Sequence, residues 1–401
     1  MQAVIEFVAQ GLADANVWQI VGFTFIVTHV TILSTTLFLH RSQTHRGVDF
    51  HPIVSHFFRF WLWLTTGIVT REWVAVHRKH HAKCEGEEDP HSPLVHGAST
   101  VLWKGAQLYR ASATDQTTLD RYGRGTPNDW LEKNVYTRHR GLGIALMLAI
   151  DVALFGGLGI TVWAIQMAWI PFWAAGVING LGHHVGYRNF SSADASTNLF
   201  PIGILIGGEE LHNNHHAHGT SAKFSNKWYE FDLGWMYIRS MEVLRLATVR
   251  RKAPARKLKA AHEAGVLDDR SLEAVLLHRH EIMAKYAQLL KRIAGREWRN
   301  LQPHTRAELP AWRAFASRRW LLWQESLLNG EQRAQLQRVA AASPTLAHVI
   351  EMRAALARIW ESTADSSEQL LHRLQAWCAQ AERSHVQELA GFAQRLRLYT
   401  T

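Results

Sequence analysis

The sequence predicts an all-α integral membrane protein: a small transmembrane helical bundle with a cytoplasmic cap of histidine clusters and an additional soluble helical C-terminal extension. Three observations predict it. Long apolar runs free of Lys and Arg occupy residues 17–39 and 141–182. Tight groups of histidine, from a total of 24, stand close to the ends of apolar runs. After about residue 245 the composition changes to Arg, Lys, Glu, Gln and Ala, which divides the chain into a membrane domain, 1–245, and an extension, 246–401.

The run 17–39 is the first expected span. At about 1.5 Å per residue it exceeds a hydrocarbon core of about 30 Å. A secretory signal would carry a basic n-region, and the first 40 residues have no Lys or Arg, so a retained span is expected. Residues 53–70 are apolar too, but His56 and Arg59 interrupt them. We read an interfacial helix there. A fourth span is the alternative; it would put His40 and His45 across the bilayer from His77, His80 and His81. The long run then divides at Gly156-Gly157-Leu158-Gly159 into two spans, 141–158 and 160–182, with Asp151 an ionisable residue inside the first. Arg41, Arg46, Arg71, Arg78, Lys79, Lys83 and the region beyond Arg188 are basic, which assigns those segments to the cytoplasm.

In the extension, 271–292 and 343–360 show apolar residues at helical spacing. Ser343-Pro344 reads as a helix start, and Pro303 and Pro310 as breaks. Arg250-Arg251-Lys252 with Arg256, Lys257 and Lys259 is either a lipid-headgroup contact or a solvated linker. The net charge of +10 alone would allow nucleic acid, but with 17 Trp and the apolar runs a membrane surface is the partner expected, and no nucleic acid. For the extension, docking, regulation and oligomerisation are open roles, with nucleic-acid binding by its charge the weaker alternative. Only Cys84 and Cys378 occur, so no disulfide framework is implied and any metal must be held mostly by histidine.

The clusters read His40-Arg41-Ser42-Gln43-Thr44-His45, His77-Arg78-Lys79-His80-His81 and His212-Asn213-Asn214-His215-His216. Neutral imidazole is the commonest metal ligand, and eight rings could hold two ions. In the second and third clusters the i, i+3, i+4 spacing puts all three rings on one helix face.

This order, H-x4-H, H-x2-H-H, H-x2-H-H, resembles the integral-membrane fatty acid desaturase family over roughly 15–245. The resemblance extends to Glu72-Trp73 before the second cluster, to Asp89-Pro90-His91 after it, and to Gly207-Gly208-Glu209-Glu210-Leu211 before the third. It extends also to Asn179-Gly180-Leu181-Gly182-His183, and is nearest to the acyl-CoA and acyl-lipid Δ9 enzymes, bacterial DesA-type. The family implies an O2-dependent di-iron centre that puts a cis double bond into an acyl chain. By that resemblance the ligands are His40, His45, His77, His80, His81, His183, His212, His215 and His216, with Asn179 acting through a water; a helical turn between Asn179 and His183 is compatible with this.

Ligating imidazoles need acceptors for their second ring nitrogens. Glu72, Asp89, Glu209 and Glu210 are expected in that role by proximity, with His91 nearby, and Trp73 is expected on the substrate tunnel or in interfacial packing. His184, about 100° from His183 on a helix, is not expected to ligate, nor are His29, His51, His56 and His139. His51-Pro52-Ile53-Val54 does not match the His-Pro-Gly-Gly haem motif of fused cytochrome b5 domains. Electrons would therefore come from a separate ferredoxin- or flavoprotein-type donor. Phospholipid, acyl-CoA and acyl carrier protein all remain as acyl carriers, and a bacterial inner-membrane enzyme with a cytoplasmic active site is expected. A membrane fatty acid hydroxylase or alkane monooxygenase using the same histidine boxes is the alternative, since both reactions begin with hydrogen abstraction.

Overall fold

Asn16 starts the first long helix. Its side chain accepts from the N–H groups of Trp18 and Gln19, and Gln19 reaches back to the Asn16 N–H, closing a capping box. The helix runs Val17–Thr44, 28 residues, and is one of two long and apolar enough to cross a membrane; the other is Leu158–Leu181, 24 residues. The computed structural model describes residues 1–260, 265–300, 327–361 and 365–401. Pro303 and Pro310, expected as helix breaks, lie outside the described residues.

The structure corrects the expected spans. The first helix does not stop at 39 but continues as a π-helix, Ser34–Thr44, so His40 lies within it. The second span begins at Arg140 and ends at Phe155, where Gly156 adopts φ 58°. Its 16 residues reach about 24 Å, less than a bilayer core of about 30 Å. A Cβ on Gly156 would stand 2.4 Å from the Phe7 carbonyl oxygen and 2.5 Å from that of Val8, so only glycine lets the amino-terminal helix Gln2–Gln10 approach this turn. Asp151 is fully buried, with Gln166 Nε2 3.4 Å from its Oδ1.

The helix expected over 53–70 is two pieces. Pro52–Thr66 has Pro at its first position and closes on Gly67 in the left-handed region; Thr70–Lys83 follows and carries the second histidine cluster. Arg59 is buried in the first piece. Its guanidinium pairs with Asp129 at 2.6 Å and Glu132 at 2.9 Å, which lets a charge interrupt an apolar helix. Helix Ala98–Ala113 lies against the end of Leu158–Leu181 in close backbone contact: a Cβ on Gly105 would meet the Ala175 carbonyl oxygen at 2.2 Å.

The chain divides into two units, one of residues 1–187 and 196–253, the other of 188–195 and 254–401. The division falls after Ala253 rather than 245 because strand Ala247–Val249 pairs antiparallel with Val48–Phe50, directly after the first histidine cluster. Arg250 also pairs with Asp49. In the second unit, Asp269–Leu277 and Arg279–Asn300 replace the single helix expected over 271–292, with a break at His278. Pro344–Glu361 begins as expected, the Ser343 hydroxyl accepting from the Leu346 N–H at 3.2 Å. Tyr286, Val349, Met352, Leu356, Trp377 and Phe392 belong to its core, where the Tyr286 hydroxyl donates to Val349 O and the Trp377 indole to Met352 O, each at 2.8 Å. Within the basic run, Arg256 is held by Glu281 at 3.0 Å.

Candidate metal centre

The H-x4-H spacing does not suit an α-helix, where positions five apart diverge by about 140°. The π winding resolves this. Its hydrogen bonds join i to i+5, and the His45 N–H donates to His40 O at 3.1 Å. The two rings then stand 4.9 Å apart, centroid to centroid. Helix Thr70–Lys83 presents His77, His80 and His81, and the short helix His212–Ala217 presents His212, His215 and His216.

These rings assemble into two main groups whose ligand atoms all lie within 4.8 Å of one another. One is His40, His45, His77, His81 and His215; the other is His80, Cys84, His183 and His216. His212 joins the second, its Nε2 3.0 Å from that of His183 and its ring 4.4 Å from that of His216. A third, smaller group is His80, Asp89 and His91.

The fit to metal ions can be tested on nitrogen positions. His215 Nε2 lies 3.0 Å from both His40 Nε2 and His81 Nε2, and His81 Nε2 is 3.1 Å from His77 Nε2. Adjacent ligands on one ion, each about 2.1 Å from it and at right angles, stand about 3.0 Å apart. Burial, reinforced by neighbouring imidazoles, pushes the pKa of His45, His77, His81, His212 and His215 well below the ordinary value. Neutral rings with converging lone pairs are the form that binds metal. His45 Nε2 and the Nδ1 atoms of His91, His212 and His215 are buried without a hydrogen-bond partner among the described residues. The residues fit.

Carboxylates aim some of the rings. Glu209 Oε1 accepts from His40 Nδ1 at 2.8 Å, and Thr36 donates to the same oxygen. Asp89 Oδ1 accepts from His80 Nδ1 at 2.9 Å. Burial alone would raise the pKa of Asp89, but His80, His91 and the Glu85 N–H outweigh it and hold the carboxyl well below the usual range. Two expectations fail. Glu72 gives both carboxylate oxygens to Arg140, at 2.7 and 3.0 Å, and orients no imidazole. Glu210 accepts from the N–H groups of Ile206 and Gly208 and shapes the loop before the third cluster.

His91 stands closer to the centre than expected, 4.3 Å from the His80 ring. Helix Leu158–Leu181 ends before His183, so Asn179 and His183 are not on one continuous helical turn. Sequence reasoning missed Cys84, whose Sγ is 3.8 Å from His80 Nε2, and Glu85, which accepts from His183 Nδ1 at 2.8 Å. Glu85 is one of four carboxylates within Glu85-Gly86-Glu87-Glu88-Asp89, and nothing in that pattern selects it. His184, next to His183, is exposed.

A cavity of about 960 Å³ touches this centre, lined by His40, His77, His91, His212 and Asn179. Trp73 lines it, stacked on His77 at 4.9 Å and 16°. Beyond the centre its wall includes Ile32, Ile144, Trp163, Met167, Ile170 and Ile178.

Residues 16–253, more than half of the chain, match the family model described as fatty acid desaturase. The chain belongs to the fatty acid desaturase family. The desaturase is accordingly an oxidoreductase that acts on acyl substrates. It is 29 % identical over 236 residues to an sn-1 stearoyl-lipid 9-desaturase of Anabaena variabilis, an alignment covering 58 % of this chain and 84 % of the relative. It is 31 % identical over 228 residues to an acyl-CoA 5-desaturase of Anemone leveillei, covering 54 % and 67 %. Against a palmitoyl-monogalactosyldiacylglycerol delta-7 desaturase of Arabidopsis thaliana it is 29 % identical over 237 residues, covering 58 % and 62 %. Residues 275–401 match a different family model, described as transposase. Among the described residues, the groups able to hold a metal all fall in the first unit.

Replacing Glu209 with Gln removes the charge that aims His40 Nδ1. Metal affinity is expected to fall about 10–100-fold, read as metal retained against a chelator, with helix content unchanged.

Proposed function

We propose that this desaturase uses O2 to introduce a cis Δ9 double bond into a saturated acyl chain of a phospholipid or acyl-CoA, with two non-haem iron ions as cofactor. The cavity carries this reading. It is at the upper end of small-molecule pockets, about 300–1,000 Å³, largely apolar, and open to imidazoles of both histidine groups. Asn179 and Gln166, both on its wall, stand thirteen residues apart on one helix, so the cavity follows that helix over several turns.

His40, His45, His77, His81 and His215 would hold one ion. His80, His183, His212 and His216 would hold the other, with Asn179 contributing through a water. Bound there, the irons supply the oxidant that an unactivated methylene requires, which no side chain can provide. The chain's own residues do the rest. Glu209, Asp89 and Glu85 keep the Nδ1 protons of His40, His80 and His183 turned outward, so that each Nε2 lone pair faces the centre. Trp73, Ile68 and Val76 close the substrate side with apolar surface.

The balance is that each O2 becomes two waters, taking two electrons and two protons from the acyl chain and two of each from outside. A separate ferredoxin- or flavoprotein-type donor would supply that external pair. The division of basic and apolar residues supports a bacterial inner-membrane enzyme with a cytoplasmic active site. Residues 254–401 are then a helical extension accessory to this chemistry.

The test is gas chromatography–mass spectrometry of lipids from cells expressing the protein or its His80→Ala variant, grown with oxygen. A monounsaturated acyl chain made only by the unmutated protein is expected, with the double bond at Δ9. Hydroxylated chains in its place would transfer the enzyme to the hydroxylase reading.

A further inference from the structure

The cavity wall is mixed in character. Ile144, Trp163 and Met167 give it apolar surface, and Arg110, Arg140 and Glu72 also border it. Tyr109 also lines it, close enough to Glu72 and Arg140 to feel both charges. Its hydroxyl oxygen is buried and has no hydrogen-bond partner among the described residues. A buried hydroxyl left unpaired is costly, and native structures rarely tolerate it without a reason.

We propose that the Tyr109 hydroxyl donates a hydrogen bond to the carbonyl of the substrate's acyl linkage and so fixes how far the chain enters the cavity. The inference rests on the acyl-chain reading of the cavity given above. An acyl chain is apolar except at its carbonyl, the one strong acceptor it brings along this wall. Burial and the Glu72 carboxylate hold the Tyr109 proton on its oxygen, far above the ordinary phenol range, so the group is a donor. Glu72 is already engaged by Arg140. Arg110 and Arg140 suit the charged group beyond the carbonyl, whether phosphodiester or CoA phosphate.

Apart from the Nδ1 atoms of His91 and His212 at the histidine centre, the other orphaned wall atom among the described residues is Gln166 Oε1, an acceptor, and an acyl chain has no donor to give it. Away from the histidines, the asymmetry between Tyr109 and Gln166 therefore gives the chain a direction, with its carbonyl at Tyr109. A carbonyl fixed there places one carbon, counted from it, beside the histidine centre. Tyr109 is thus a positioning residue and makes no contact with the reacting carbons.

The test uses the full-length enzyme and its Tyr109→Phe variant, both with measured metal content. Each is given a phospholipid with an octadecanoyl ester and the analogue with an O-octadecyl ether; a parallel arm uses stearoyl-CoA and S-octadecyl-CoA. The carrier that is turned over identifies the source of the carbonyl.

On the carbonyl substrate, Tyr109→Phe is expected to raise KM roughly 2- to 10-fold, the size of one hydrogen bond, and to replace a single double-bond position by a mixture at unchanged metal content. The unmutated enzyme on the ether or thioether should give the same mixture, and the variant should add nothing further there. Unchanged KM and an unchanged single position in Tyr109→Phe overturn the proposal. So does an equal effect of the variant on carbonyl and ether substrates, which marks a purely structural residue. If the unmutated enzyme, loaded with metal and donor, desaturates neither carrier, the acyl-chain reading falls and this inference with it.

Discussion

Replacing His215 with Ala is expected to abolish turnover and to empty the five-imidazole group. His215 Nε2 is the hub of that group, 3.0 Å from the corresponding atoms of both His40 and His81. Those partners come from the helices Val17–Thr44 and Thr70–Lys83, so one ion there joins three helices distant in sequence. Buried neutral nitrogens facing one another at this distance repel until a cation lies between them. An ion bound only by the folded arrangement also stabilises it, by about 4 kcal/mol when its free concentration is a thousand times its dissociation constant. His215→Ala should therefore lose thermal stability as well as metal. His216→Ala, in the second group, should lose the other ion, and exposed His184→Ala should lose neither. Metal per chain, by mass spectrometry, and product formation are the measurements. Full metal and normal turnover in His215→Ala would remove this group from the centre.

How much of this was legible in the sequence depends on the distance over which each feature is decided. The second and third histidine clusters follow the α-helical period, so their convergence could be read from spacing alone. The first could be read as chemistry but not as geometry, because His40 and His45 meet only through a π winding that no propensity announces. The carboxylates divide the same way. Asp89 is nine residues from His80 and was found by proximity. Glu209 was found by proximity to the third cluster, yet it serves His40, 169 residues away. Glu72 was misread because its partner Arg140 is 68 residues distant, and Glu85 was missed because His183 is 98 residues distant. Arg41 was read as a positive-inside residue facing the cytoplasm. The structure buries it completely.

That burial sets the second large effect, expected from Arg41→Met. The Arg41 guanidinium makes a bidentate pair with Asp232, at 2.9 and 3.0 Å, donates to the carbonyls of Gly207 and Ala222, and lies 3.7 Å over the Phe224 ring. One side chain thereby ties the His40 helix to the loop before the third cluster and to the start of helix Leu233–Val243. Methionine keeps much of the volume but leaves the Asp232 carboxylate buried without its cation. Removing one partner of such a pair costs about 3–5 kcal/mol, a large part of a domain's stability of about 5–15 kcal/mol. Arg41→Lys should not rescue it, because an ammonium cannot reproduce the planar fork that spans both Asp232 oxygens. The double variant Arg41→Met, Asp232→Leu should recover only part of the loss, since Asp232 also accepts from the N–H groups of Phe224 and Trp235. Thermal unfolding of the detergent-solubilised protein reads the stability, and metal content reads the site beside it. A large fall in both for Arg41→Met, eased in the double variant, is the expected pattern. If Arg41→Met unfolds like the unmutated protein, the pair does not hold the centre together and the imidazoles must be fixed by their own helices.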